Sequence, residues 1–470
     1  MEPQSLAFRT RARRAIADPV IATAMQRLET GWQLGRARAA AALPEFDALR
    51  DAAVAIKNHA LSHLDLYLEA FERRFAERGG VIHWARDAAE ARAIALSICR
   101  EAGAKTVTKS KSMVAEEIGL NPFLEASGLQ VVETDLGEYV IQLAGEVPSH
   151  LVGPAVHMTR ERIAELFAKA HGGPPKQESA ALVAEARQVL RRRYLEADVG
   201  ITGANFLIAE TGSIVTVTNE GNAELTQGLP RIHLAITGIE KVVPTVEDAF
   251  TLLRLLARSA TGQEFAGYTT FLTGPKRPEE RDGPQAMHLI LLDNGRSSML
   301  GGAMREMLRC IRCGACMNHC PVYLATGGHA YGWVYVGPMG SVLTPQFVGI
   351  DKAWTLPNAS TFCGRCEEVC PVRIPLPKLM RHWREEAHRR GLAPPTARAG
   401  LGLWGFLARR PRLYRLATRA AAALLGALGR RRGRFGRLPL AAGWTGSRDF
   451  PAPEGQTFAA QWRARRGGRP

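Results

Sequence analysis

The run Cys310-Ile-Arg-Cys313-Gly-Ala-Cys316-Met-Asn-His-Cys320-Pro321 spaces four cysteines as C-x2-C-x2-C-x3-C-P. A second group follows, Cys363-Gly-Arg-Cys366-Glu-Glu-Val-Cys370-Pro371. Three thiolates two residues apart can curl round one iron–sulfur cube, while the fourth, turned away at the proline, reaches another. The expected sharing is crossed: Cys310, Cys313, Cys316 and Cys370 hold one cluster, and Cys320, Cys363 and Cys366 hold the second. The second set is one thiolate short. Aligning the groups on their Cys-Pro ends puts Ser360 where a fourth cysteine would stand. Two [4Fe–4S] clusters are expected, the second with a non-cysteine or exchangeable ligand such as Ser360; the alternative for the second is [3Fe–4S]. A zinc site would use two separated pairs, which three cysteines in seven residues fit poorly. A disulfide framework needs an oxidising compartment, and an odd, clustered set suits it badly.

The chain has 470 residues, enough for two or three domains, and a formal charge of +16. The charge is not spread evenly. From Arg389 onward there are 18 arginines, no lysine and two acids, Asp449 and Glu454; the rest of the chain is neutral overall. The body therefore offers no charge reason to bind nucleic acid. The N-terminal arginines are followed by no apolar segment, because Asp18, Pro19, Gln26, Arg27 and Glu29 interrupt, so no signal peptide is expected. The apolar run Ala420 to Leu428 is about half the ~20 residues that span a bilayer. A cytoplasmic protein is expected, with the arginine-rich stretch Leu401–Leu428 forming an amphipathic helix for a partner or an anionic membrane surface.

Residues 1–80 read as helical, with Leu61, Leu64, Leu68 and Phe71 at helix spacing and Gly79-Gly80 as the stop. His59 and His63 lie one turn apart there but lack further ligands, which favours a packed or surface pair. From Val81 strands alternate with helices, the pattern of a mostly parallel sheet covered on both faces. Expected strands are Val81–Trp84, Lys105–Lys109, Leu129–Thr134, His233–Thr237, Lys241–Val243 and His288–Leu292, with His150–Met158 strand-like or extended. Cys99 falls in the helix Ala88–Ala102 as a core thiol. Lys109-Ser110-Lys111-Ser112 opens a helix with a serine cap and two lysines, which suits an anion. Val199 to Asn222 alternates short apolar runs with small polar clusters. Open α/β sheets place ligands at such strand ends, so Lys109, Lys111, Gly203, Asn205, Glu210, Gly212, Asn219 and Asn222 are candidate binding residues. A helix Gly302–Arg309 leads into the first cysteine. Gly327 to Tyr335, with its aromatics, is expected to pack over a cluster, His329 being a possible donor to it or a turn residue. Leu376–His388 is a helix. The divisions read as 1–80 helical, 81–300 α/β, 301–390 an α-helical two-cluster ferredoxin module, and 391–470 an arginine-rich extension.

Taken together, these segments resemble the lactate utilization protein B family. The likeness rests on His83-Trp84-Ala85 with Asp87, on Thr106 to Met113, and on Glu133-Thr-Asp135-Leu-Gly-Glu138-Tyr139. It rests also on Gly203-Ala-Asn205 through Glu210-Thr-Gly212 to Asn219–Asn222, and on both cysteine groups with Gly328–Tyr335 between them. It spans roughly residues 40–390 and, more loosely, Phe458–Trp462. It implies a body similar to ribose-5-phosphate isomerase and CoA-transferase folds, and a role in oxidising L-lactate to pyruvate beside other subunits. It also implies that the seven-cysteine pattern belongs to the family and that these cysteines are the cluster ligands.

The function expected is an electron conduit in a lactate-oxidising complex. No G-x-G-x-x-G strand–turn–helix offers a flavin or nicotinamide site. The alternatives are a cluster subunit of a glycolate, glycerol-3-phosphate or heterodisulfide system, and an isomerase- or transferase-like enzyme with Glu210 as base or nucleophile and structural clusters.

Overall fold

The computed structural model describes residues 2–438, 442–446 and 448–467. They form two compact units, 1–387 and 388–470.

The first unit is built on a six-stranded sheet. Its strands belong to a set numbered in chain order: β1 (Val81–Ala85), β2 (Thr106–Lys109), β3 (Gln130–Glu133), β4 (Val199–Gly203), β5 (Phe206–Ile208), β6 (Ser213–Thr218), β7 (Ile232–Gly238), β8 (Val242–Val243), β9 (Tyr268–Leu272) and β10 (Ala286–Leu292). The main sheet runs β1-β10-β7-β4-β2-β3, and every pair is parallel. Its central strands are apolar on both faces, as parallel strands between helices must be. Leu234, Ile236, Ile290 and Leu292 pack on one face, with Ala91, Ala95 and Cys99 of the helix Ala88–Glu101. Ala235, Met287, Leu289 and Leu291 pack on the other, with Phe71 and Phe75. Cys99 is the buried core thiol that its apolar neighbours predict.

Chain order sets the crevice. From β2 the chain passes to β3 on one side, then returns to β4 on the other side of β2. An open parallel sheet binds ligands where its strand order reverses in this way, beyond the strands' carboxyl ends. Here that place lies between the Ser110–Ser112 turn and the Thr202–Asn205 turn. Gly203 fits the crevice closely: a Cβ there would stand 3.1 Å from Ser112 Oγ.

A second sheet, β8-β5-β6-β9, lies alongside the first; β5–β6 and β6–β9 are antiparallel. The alternation of Val199–Asn222 predicts β5 and β6, and Lys241–Val243 predicts β8, but neither predicts the partner β9 nor that these strands leave the parallel sheet. Residues 150–158 form turns instead of an extended segment. His150 Nδ1 accepts the N–H groups of Val152 (2.9 Å) and Gly153 (3.1 Å), which replaces any ladder pairing. Gly302–Arg309 is not a helix throughout; only Arg305–Arg309 coils, as a 3-10 turn.

Residues 1–80 are helical, as Phe8–Ile16, Pro19–Leu28, Leu34–Ala41, Phe46–Ser62 and Leu64–Glu77. His59 and His63 are an exposed pair; His59 Nε2 bonds Tyr67 Oη at 2.8 Å. Residues 301–387 hold only helices and turns, including Ala315–Asn318, Pro321–Thr326, Gly337–Val348 and Arg365–Glu368.

In the second unit, Leu401–Leu428 is two helices, not one. Pro395–Ala408 and Pro411–Gly429 are separated by Arg409-Arg410, because Pro411 has no N–H with which to continue the first helix. Phe458–Arg465 is a further helix, and Arg434–Phe435 pairs with Phe450–Pro451. Among the described residues no helix is long and apolar enough to cross a membrane.

Candidate functional site

The two cysteine groups fold as near repeats. Each has a residue with left-handed backbone before its second cysteine position, Arg312 (φ 61°) and Phe362 (φ 57°), and a left-handed glycine after it, Gly314 and Gly364. Short helices follow, Ala315–Asn318 and Arg365–Glu368, each carrying one more cysteine. A non-glycine residue in this region costs about 1–3 kcal/mol and persists only where the surroundings hold it. The return is a tight loop that turns successive thiols to one side.

The thiols gather across the two groups. Cys313 feels Cys370 and Cys310; Cys316 feels Cys310, Cys313 and Cys370. Cys320 instead feels Cys363, and Cys366 feels Cys320 and Cys363. The two sets adjoin, because Cys316 is also within electrostatic reach of Cys366. Cys310, Cys313, Cys316 and Cys370 line one apolar cage with Leu151, Met307, Met339 and Ile374. In the other set Cys320 and Cys366 are buried and Cys363 is exposed.

This donor set fits iron–sulfur clusters and not single ions. Four thiolates on one zinc would lie about 3.8 Å apart, whereas no three thiols have their sulfurs within 4.8 Å of one another among the described residues. Backbone N–H groups point at the sulfurs; Ile374 N donates to Cys370 Sγ at 3.4 Å. The Tyr331 hydroxyl is buried without a hydrogen-bond partner among the described residues. Burial pushes it well above its ordinary value, and Cys320, Cys316 and Cys366 are within electrostatic reach of it. An orphaned donor amid these thiols marks where a cluster sulfur would accept. Ser360 Oγ accepts from Phe362 N at 3.1 Å, holding the turn before Cys363. His329 does not reach the thiols: its Nε2 bonds Val147 O at 2.7 Å and its ring meets that of His157 edge-on. His329, His157 and Glu146 offer three ligand atoms within 4.8 Å. All three are engaged, His157 with Ser149 Oγ at 2.6 Å and Glu146 with Arg162.

The N-terminal helices clamp these loops. Arg50 donates to the carbonyls of Glu368 (2.7 Å) and Cys370 (2.9 Å), and Arg36 to that of Val369 (2.9 Å). Gln33 Nε2 holds Asn318 O at 2.6 Å, and Asn318 in turn bonds His150 Nε2 and Ala260 O.

A cavity of about 250 Å³ open to water lies in the crevice between β2 and β4 and extends to Arg312 and Cys313. Lys111, Gly203, Asn205, Asn219 and Asn222 line it as the sequence suggests. The asparagines are largely committed within the fold: Asn205 Oδ1 accepts Val217 N at 3.0 Å, and Asn219 Oδ1 accepts Gly267 N at 2.8 Å. Three candidates lie elsewhere. Lys109 is buried under the crevice, paired with Glu133 at 2.9 Å. Glu210 is exposed and accepts Val246 N at 3.0 Å, at the start of the helix Val246–Ala260, so it cannot serve as a base in the crevice. Gly212 makes the β5–β6 turn at φ 69°, where a Cβ would stand 2.6 Å from Phe75 N. Lys241 and Arg312, which the sequence does not single out, complete the wall.

A buried ion network joins crevice and cysteines. Arg296 meets Glu117 at 2.8 Å and Glu240 at 2.9 Å, and Arg312 reaches Glu240 at 3.7 Å while lying over the Tyr335 ring. Lys57 Nζ donates to Glu240 O at 2.5 Å. Arg296 and the neighbouring cations hold the Glu240 carboxyl down at about 2, against its burial.

Three family models match along the chain. Residues 68–292 match the LUD domain, 306–374 the 4Fe-4S dicluster domain, and 376–467 the C-terminal region of lactate utilisation protein B. Lactate utilization protein B of Geobacillus kaustophilus (strain HTA426) is 45% identical over 433 residues, 91% of this chain and 90% of that one. Its counterpart in Lysinibacillus sphaericus (strain C3-41) is 42% identical over 461 residues, 97% of each chain. The uncharacterized electron transport protein YkgF of Escherichia coli (strain K12) is 39% identical over 454 residues, 96% of this chain and 95% of that one. A crystal structure of a duf162 family protein from Deinococcus radiodurans is 15% identical, covering 49% of this chain and 98% of that one at a TM-score of 0.29.

Proposed function

The chain belongs to the lactate utilization protein B family, and from that premise we propose that it is the iron–sulfur electron-transfer subunit of an L-lactate-oxidising system. The observation that carries the reading is that Cys310, Cys313 and Cys316 of the first cysteine group and Cys370 of the second line one cage, which Cys320, Cys363 and Cys366 do not line. In this reading Cys310, Cys313, Cys316 and Cys370 hold one cluster, and Cys320, Cys363 and Cys366 hold the other. Two such clusters, when bound, accept and pass on single electrons. The chain's own residues keep the first set dry within Leu151, Met307, Met339 and Ile374, and leave the second open at Cys363. The exposed side at Cys363 is then the face for an electron partner, another subunit of the system. The tail, with Leu403, Trp404, Leu416 and Phe458 exposed among its arginines, is a second docking candidate, for a subunit or an anionic membrane surface.

Variants Cys320→Ala and Cys370→Ala test the crossing. After anaerobic purification the parent should carry about seven to eight iron atoms. Cys320→Ala should lose the second cluster and keep about four, although it alters the first motif. Cys370→Ala should disturb the first cluster, although it alters the second motif. Neither variant should restore growth on L-lactate to a strain lacking the chain, while growth on pyruvate persists. Full lactate growth with a cluster-free chain, or loss of the first cluster in Cys320→Ala, would overturn the reading.

A further inference from the structure

The wall that the crevice shares with the first thiol set carries more positive charge than its carboxylates balance. Lys57, Lys241 and Arg296 are buried, and Arg312 is partly so, around two buried carboxylates, Glu117 and Glu240. Arg296 takes both oxygens of Glu117 and one of Glu240. Arg312 is left the far side of Glu240, at 3.7 Å. Lys241 is only 5% exposed, lines the cavity, and forms no hydrogen bond or ion pair among the described residues. Burial first, and then Arg312, pull it down to about 8, so it still carries its proton at neutral pH. An isolated buried ammonium is costly unless an anion meets it. Lys111 is not part of this excess, since it donates to Val152 O at 2.8 Å and faces Asp135 at 3.9 Å.

The remaining lining limits the size and chemistry of a ligand. The volume, about 250 Å³, falls below the roughly 300–1,000 Å³ of pockets that bury drug-sized ligands, so a dinucleotide does not fit. Ser110 Oγ accepts from Asn222, and Ser112 Oγ from Ala115 N, which leaves both hydroxyl protons free to donate. Asp135 and Glu220 also line the cavity, Asp135 facing Lys111 and Glu220 accepting from Leu136 N; away from them, two cations with two hydroxyl donors suit a small acid that bears a second oxygen beside its carboxylate.

We propose that this cavity binds a small 2-hydroxy or 2-oxo carboxylate, its carboxylate against Lys241 and Arg312. The charge of the ligand then lies one wall from Cys313, and Lys241 is already within electrostatic reach of Cys310. Occupancy should therefore make the first cluster harder to reduce. Binding stands without the electron-transfer reading; only the coupling rests on it.

The test uses cluster-loaded protein held without oxygen and titrated calorimetrically with L-lactate, pyruvate and inorganic phosphate. One of the two carboxylates should bind, and Lys241→Met should weaken it at least about tenfold, the loss of some 1.4 kcal/mol. Saturating ligand should lower the midpoint potential of the first cluster in the parent and leave it unmoved in Lys241→Met. Iron content and melting temperature certify the variant; if Met is not tolerated, Lys241→Gln takes its place. Carboxylate binding without any cluster would sink the electron-transfer reading and keep this site. Intact clusters with no carboxylate binding, while Lys241→Met still shifts the potential, would overturn this site and leave the cations as counter-charge for the cluster alone. Phosphate binding as tightly as either carboxylate would overturn the ligand class.

Discussion

Arg296→Met removes the cation on which two buried carboxylates depend. The guanidinium is 1% exposed. It donates to both oxygens of Glu117, at 3.0 and 2.8 Å, and meets Glu240 at 2.9 Å as an ion pair without hydrogen-bond alignment. Glu117 also accepts from the Tyr335 hydroxyl and from Asn294. Methionine fills much of the same space beside Phe347 but leaves Glu117 with neutral donors only. Breaking a buried pair by removing one partner costs about 3–5 kcal/mol, because the remaining charge stays desolvated. For a unit of 387 residues, an unfolding entropy of about 2.1 cal/mol/K per residue turns that loss into a melting shift of about 4–6 °C. Circular dichroism on anaerobic, cluster-loaded protein reads it directly. Adding Glu117→Gln to Arg296→Met should recover part of the loss, since the stranded charge disappears. A shift under about 1 °C, or a double variant worse than the single, would refute the view that this network carries uncompensated charge. Arg312 sits between Cys310 and Cys313 and ends the same network, so iron content should fall along with stability.

Two further outcomes follow from buried groups near the site. Glu116 faces Glu133, Glu138, Lys109 and Lys111, and burial, with the Glu133 carboxylate beside it, pushes it up to about 7. An acid whose folded value exceeds its unfolded one holds a proton in the fold that the open chain releases, so stability falls as pH rises from about 4.5 to about 7. Glu116→Gln should flatten that fall by about 1–3 kcal/mol, read as a smaller difference in melting temperature between about pH 5.5 and about pH 8; an unchanged slope would rule it out. Tyr331→Phe deletes the orphaned hydroxyl beside Cys320. Losing a donor to a cluster sulfur should lower the midpoint potential of the second cluster and leave the first in place. An unchanged potential in a variant with full iron content would show that the hydroxyl serves packing alone.

The cysteines were legible because their chemistry depends on spacing along the chain. Loop geometry repeats wherever C-x2-C repeats, down to the left-handed Arg312 and Phe362. The parallel sheet was legible for a similar reason, since strands buried on both faces leave apolar runs. The crevice was only half legible. Gly203 and Asn205 announce themselves as small polar residues at a strand end, but Glu210 and Gly212 carry the same signature at an ordinary hairpin turn. Turn chemistry and site chemistry use the same residues, and only strand order shows which turn opens on the crevice. Lys241 and Arg312 gave no signal, because each reads locally as something else: a charge flanking a two-residue strand, and a spacer within a cysteine motif. Residues 150–158 look extended by composition, yet one histidine nitrogen takes two backbone N–H groups and folds them into turns.

The crossed thiol sets give the N-terminal helices a role that their sequence does not suggest. Cys370 closes the first set, yet it stands at the end of the second motif. Its position therefore depends on whatever fixes the chain at residues 368–370. That chain is fixed by Arg36 and Arg50, through carbonyls of Glu368, Val369 and Cys370. Hydrogen bonds from a charged donor are worth about 1.5–3 kcal/mol each, so the pair of arginines is a substantial part of what holds the fourth thiol. Asp47 pairs with Arg50 at 2.7 Å and with Arg373 at 3.5 Å, which ties the same helix to the segment just beyond. The first thiol set is thus built from three places: the motif at Cys310–Cys316, the return at Cys370, and a helical region some three hundred residues earlier that contributes no ligand.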